Sequence, residues 1–194
     1  RRLPHREAME RYGIDKPDLR FGFELQDLSA AIRPDAADFV KAALHEGGRL
    51  RGIVASGAGQ ASRKELDTLS AAAKGAKAGG LIWARRSGTG WDGQGVKAFG
   101  VEGLAALKAA EGDLLLAVVG KDEITSPALH AVRTELARRP GAVASTKHAF
   151  CWIVDFPLFA QDPASGEWVF VHHPFTSPHP DDVRRLEIDP WHCR

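Results

Sequence analysis

Apolar residues recur along this chain at two different spacings, and the places where the spacing changes mark its elements. Leu50 to Ala55 is an apolar run of strand length, followed by a Gly/Ala-rich loop from Ser56 to Ala61. Leu66, Leu69, Ser70 and Ala73 then return every three or four residues, as on one face of a helix. Ser62-Arg63-Lys64-Glu65 opens that helix as a capping box, a reciprocal pair of hydrogen bonds that stabilises a helix start by about 1 kcal/mol. Gly80 to Arg85 reads as a strand, Val101 to Ala110 as a helix with Leu104, Ala105 and Leu107 inward, and Asp113 to Val119 as the most apolar strand. A last helix is expected to be capped by Ser126 with Pro127 as its first residue, where a missing N–H costs nothing. Leu129, Val132, Arg133 and Leu136 mark its faces, and Pro140-Gly141 ends it. By itself this order of strands and helices suggests a parallel α/β unit.

Upstream, His5 to Tyr12 reads as a short helix stopped by Gly13, and Asp15-Lys16-Pro17-Asp18 as a turn. Phe21 to Leu28 alternates as a half-buried strand would, and Ala36 to His45 places Phe39, Val40, Ala43 and Leu44 on one helix face before Gly47-Gly48. Downstream, Trp152–Val154 and Trp168–Val171 read as the two strands of one hairpin around the turn formers Gln161 to Gly166. The second strand runs into His172-His173-Pro174-Phe175-Thr176. Successive strand residues face opposite sides, so one of His172 and His173 should meet a cavity and the other should pack or meet solvent.

Composition narrows the function classes. The chain has 194 residues, enough for one large domain or two small ones, with 44% hydrophobic and 26% charged residues. A net charge of +1 gives no polybasic surface for nonspecific nucleic-acid binding, and Lys74, Lys77, Arg85 and Arg86 read as a solvated face. Asp18 and Arg20 read as a local ion pair. Two cysteines make no disulfide framework, no run approaches the roughly 20 apolar residues of a spanning helix, and Arg1-Arg2-Leu3-Pro4 is not a signal peptide, so cytoplasm is the default. Ser56 to Gln60 lacks the ending of a phosphate loop. His172, His173, His179, Asp181, Asp182, His192 and Cys193 crowd the last quarter with zinc-ligand chemistry. None of the tight paired ligand spacings is present, and no metal ligand is assigned.

Asp155-Phe156-Pro157-Leu158-Phe159 followed by His172-His173-Pro174-Phe175-Thr176-Ser177-Pro178 resembles a stretch of bacterial-type aspartyl-tRNA synthetases. Glu7-Ala8-Met9-Glu10-Arg11-Tyr12-Gly13-Ile14-Asp15-Lys16-Pro17-Asp18-Leu19-Arg20-Phe21-Gly22 looks like the segment after motif 2 of these enzymes, where Ser is commoner than Ile14. Ser62 to Glu65, Gly79 to Ala84 and Gly112 to Leu116 resemble landmarks of their GAD-type insertion domain. The resemblance spans essentially the whole chain, but motifs 1, 2 and 3 and the anticodon-binding domain are not found. It therefore implies a fragment, expected to be inactive alone. The implied fold is α+β: a two-layer insertion domain with a mainly antiparallel sheet at residues 31–140. Pieces of an antiparallel class II catalytic core flank it at 1–30 and 141–194. The implied reaction joins aspartate to ATP as aspartyl adenylate and transfers it to the 3′ end of tRNA, with ATP and Mg²⁺ used by the full-length homodimer and no cofactor expected for the fragment. His172 maps to an aspartate-binding position, with His173 the second candidate. The rival is a noncatalytic tRNA-associated module like that of an archaeal tRNA-dependent amidotransferase subunit.

Overall fold

A computed structural model describes residues 1–88, 90–143, 148–162, 164–171 and 175–194. In chain order its elements are β1 (Arg2–Pro4), α1 (His5–Tyr12), β2 (Gln26–Asp27), α2 (Asp38–His45), β3 (Arg49–Ala55), α3 (Arg63–Gly75), β4 (Ile82–Ser87) and β5 (Gly90–Asp92). Then come α4 (Gly95–Phe99), α5 (Val101–Ala105), β6 (Leu114–Gly120), α6 (Asp122–Ala137), β7 (Trp152–Val154), β8 (Phe159–Gln161) and β9 (Trp168–Phe170). The chain divides into two units, residues 9–149 and residues 1–8 with 150–194.

In the larger unit the five strands are ordered β2-β3-β6-β4-β5, and every neighbouring pair is antiparallel. β3 and β4 point the same way, yet β6 fills the slot between them, so the strand–helix–strand order does not yield a parallel sheet. The α+β class and antiparallel sheet expected from the resemblance are present. The two-layer expectation is not. Leu114, Leu115, Leu116 and Ala117 of β6 are fully buried, so the central strand needs cover on both faces. Ile53, Leu114 and Leu116 pack with Leu66 and Leu69 of α3 and Leu129, Val132 and Leu136 of α6. On the other face Leu50, Leu115 and Ala117 pack with Val40 of α2, Phe99 of α4 and Leu104 of α5. Each of these Val, Leu, Ile and Phe side chains contributes roughly 1.5–3 kcal/mol by leaving water.

Several local expectations change. The Ser62–Glu65 capping box forms as read, with the Glu65 amide donating to Ser62 Oγ at 3.3 Å and the Ser62 amide donating to Glu65 at 2.8 Å. The last helix instead starts at Asp122, whose carboxylate and that of Glu123 suit the positive end of the helix, and Pro127 lies inside it. Ser126 is buried and its hydroxyl accepts from Arg51 at 2.7 Å, so it serves the core rather than the cap. Of the Phe21–Leu28 strand only Gln26–Asp27 pairs, because Phe23 takes a left-handed φ of 59°. α5 stops at Ala105, five residues short of Ala110, whose amide is held by Asp113 at 2.8 Å ahead of β6. Phe39 of α2 is 55% exposed rather than on the packed face.

In the smaller unit β7 pairs in parallel with β1, with Leu3 opposite Ile153, and not with the strand at Trp168. The hairpin is formed by β8 and β9, in antiparallel register with Phe159 opposite Phe170 and Gln161 opposite Trp168. The turn closes between Asp162 and Gly166, whose amide donates to the Asp162 carbonyl at 2.8 Å, but Gln161 belongs to β8, the first strand is not Trp152–Val154, and Pro163 lies outside the described residues. Three short 3-10 turns follow, at Pro180–Asp182, Arg185–Glu187 and Pro190–His192.

Candidate functional site

β9 leads directly to His172, but His172, His173 and Pro174 lie outside the described residues. What the structure describes is the frame on either side of them. Val171 donates its amide to the Leu158 carbonyl at 3.1 Å, and Leu158, 6% exposed, donates its own to Cys193 at 2.9 Å. Phe159 and Phe170 lie 4.7 Å apart across the hairpin, and Trp168 stacks on Trp191 at 4.0 Å. Aromatic pairs of this kind fix ring orientation as well as burying area.

The Asp155-Phe156-Pro157-Leu158-Phe159 stretch is therefore a set of anchors. Asp155, at a left-handed φ of 55°, pairs with Arg194 at 3.5 Å, and Phe156 packs on His5 at 4.7 Å. Arg194 also meets buried Asp182 at 2.9 Å, and its guanidinium and backbone amide hold that carboxyl below the usual carboxylate range. Burial pushes the Cys193 thiol up, away from the thiolate that a metal or an electrophile would need. His192 faces Asp189 at 2.7 Å. Among the described residues no group of three or more His, Cys, Asp or Glu side chains could hold a metal ion. Both cysteines are free thiols, and among the described residues no helix is long and apolar enough to cross a membrane.

Charged residues of the larger unit are mostly structural. Asp18 and Arg20 form the local pair expected, 2.6 Å apart. Arg49 joins Glu10, Asp27 and Asp122 at 2.9–3.2 Å, and its hydrogen bonds to Glu10 hold that carboxyl below its ordinary range. Among the described residues two arginines are buried, Arg51, which the sequence reading did not single out, and Arg133, which it placed on a helix face without a partner. Arg51 donates to the Glu10 carbonyl at 2.6 Å, and Arg133 donates to Asp18 and Phe21 carbonyls while lying 4.1 Å from the Phe21 ring centre. Burial pushes both guanidiniums down from their usual range. For Arg133 a signal existed, because it sits in the stripe of Leu129, Val132 and Leu136 at helical spacing.

Comparison with known proteins places this frame. The model of the class II tRNA synthetases (D, K and N) matches residues 1–190. An aspartate–tRNA(Asp/Asn) ligase of Caldanaerobacter subterraneus subsp. tengcongensis is 44% identical over 199 aligned positions, covering 100% of this chain and 33% of that protein. An aspartate–tRNA ligase of Geobacillus kaustophilus is 41% identical, over 97% of this chain and 33% of the relative. An aspartate–tRNA(Asp/Asn) ligase of Rubrobacter xylanophilus is 40% identical, over 97% and 32%. The chain spans about a third of the length of these curated relatives. With nearly every residue matched, this chain belongs to the class II tRNA synthetase family of the D, K and N type.

Proposed function

We propose that this chain is the segment between motifs 2 and 3 of an aspartate–tRNA ligase, which activates aspartate with ATP and transfers the aspartyl group to the 3′ end of tRNA. The observation that carries this reading is identity of about 40% along the whole chain to relatives bearing that name. Residues 1–30 and 141–194 are assigned to the catalytic domain and 31–140 to the insertion domain. His172 is assigned to the aspartate carboxylate, with His173 as the second candidate. A protonated imidazole facing a carboxylate makes a charge-assisted hydrogen bond, which favours aspartate over asparagine and raises the imidazole pKa when aspartate binds. ATP, Mg²⁺, tRNA, homodimerisation and a cytoplasmic site belong to the full-length enzyme. The noncatalytic module is not favoured, since the family match covers both flanks as well as the centre.

Calorimetric titration of a nonhydrolysable aspartyl-adenylate analogue tests the reading. The full-length enzyme is expected to bind it, His172→Ala to bind on the order of ten- to a hundred-fold more weakly, and the 194-residue chain not to bind. Full-strength binding by the His172→Ala enzyme would remove His172 from the site, and no binding by the full-length enzyme would remove the substrate assignment.

A further inference from the structure

At one end of the five-stranded sheet the β3–α3 loop, the tip of the β4–β5 ribbon and the turn before β6 enclose a cavity of about 460 Å³. Gly59, Gln60, Arg85, Ser87, Asp92 and Glu111 are among its lining residues, and its walls are mostly polar. The volume falls within the roughly 300–1,000 Å³ of small-molecule sites. A second cavity, of about 510 Å³ beside Phe39, is mostly apolar and has Lys97 as its one charged lining residue.

The polar cavity has a fixed frame. Buried Asp113 accepts from the Gly57 amide at 3.0 Å and the Ala110 amide at 2.8 Å, tying both loops to the start of β6. Gly59 donates to the Gly112 carbonyl at 2.7 Å, so close that a Cβ on Gly59 would also stand 2.7 Å from that oxygen. Arg85 is held by the Ala61 carbonyl at 2.7 Å and by the Trp83 ring, 5.2 Å away. Its Nε is buried and makes no hydrogen bond.

The charges around this frame do not neutralise one another. Asp92 stands directly opposite Arg85 in the β4–β5 register, hence on the same face of the sheet. Elsewhere in the unit arginines within reach of carboxylates pair with them, as Arg11 does with Glu24 and Arg49 with three partners. Of the four charged residues lining the cavity, Arg86 donates to the Gly90 carbonyl at 2.8 Å, while among the described residues Arg85, Asp92 and Glu111 form no ion pair and the two carboxylates accept no hydrogen bond. One small molecule can satisfy both signs at once if it carries an acid group and an ammonium group. We propose that this cavity binds a zwitterion of the α-amino-acid class, its carboxylate on Arg85 and its ammonium between Asp92 and Glu111, with Gln60 and Ser87 left for the remaining polar groups. The site is separate from the aspartate site assigned to His172 and does not depend on that assignment.

The test is saturation-transfer NMR and calorimetry on the 194-residue chain, titrated with a panel of free α-amino acids and with acetate and methylammonium as single-charge controls. At least one amino acid is expected to bind saturably and neither control to do so. Arg85→Gln should weaken binding on the order of ten- to a hundred-fold. Glu111→Gln alters an exposed side chain without hydrogen bonds, leaves the fold intact and should weaken binding about ten-fold. The absence of saturable binding by every amino acid would overturn the proposal. So would binding by a single-charge control as strong as that of the amino acids, or affinity unchanged by Glu111→Gln.

Discussion

Arg133 is among the most consequential side chains of the larger unit. It is fully buried, its hydrogen bonds go to backbone carbonyls, and the rings of Phe21 and Tyr12 lie 4.1 and 4.9 Å from its guanidinium carbon. Arg133→Ala removes the cation and opens a cavity beneath those rings, so denaturant unfolding should show a loss of about 3 kcal/mol. Arg133→Lys should recover little of it, since an ammonium cannot stack on the Phe21 and Tyr12 rings as the planar guanidinium does. The sequence placed Arg133 in an apolar stripe but could not say what it met, because Asp18 and Phe21 lie more than a hundred residues away. Glu10 belongs to the same scale. Its folded pKa is depressed, so its contribution is present above the unfolded value of about 4.3 and is lost as pH falls through the depressed value. Comparing unfolding midpoints at pH 7 and pH 3, Glu10→Gln should lower the first more than the second.

At the scale of elements, legibility tracked how local the cause was. The α3 capping box involves neighbours three residues apart and formed as read. The turn that Asp162 and Gly166 close was visible from its own residues, whereas the partner of Trp152–Val154 proved to be Arg2–Pro4, and no short-range pattern could have named it. The start of α6 was misread because Ser126-Pro127 carries a local cap signal that Arg51 overrides by taking the hydroxyl. Gly13 shows how tightly α1 and α6 are fitted. It has a φ of +70°, and a Cβ there would stand 2.4 Å from the Ser126 carbonyl oxygen. Gly13→Ala should therefore cost about 1–3 kcal/mol, read as a lower midpoint in urea with the slope unchanged.

Across the whole molecule, the family was legible in the order of its motifs, while the third layer of the larger unit was not. A helix's apolar face shows in sequence, but which side of a sheet it covers depends on the connections. The smaller unit leaves Trp152 75% and Ile188 86% exposed, and β7 pairs with β1 alone among the described residues. Exposed apolar side chains beside an open strand edge favour self-association. Sedimentation velocity of the 194-residue chain should show association that grows with concentration, and Trp152→Ser with Ile188→Ser should reduce it.

The position of β6 between β3 and β4 has a consequence for synthesis on the ribosome. Arg49 must wait for Gly120 and Ala84 for Leu115, so the sheet has no centre until residues 114–120 have left the exit tunnel. Until then β3 and β4 are apolar strands without their shared neighbour, and α3 has half a surface on which to settle. Closing such long loops is slow relative to forming helices. Slower elongation before residue 114 would prolong the exposure of those strands to chaperones or to one another, whereas a pause after residue 137 would let the larger unit close before residues 150–194 complete the smaller one.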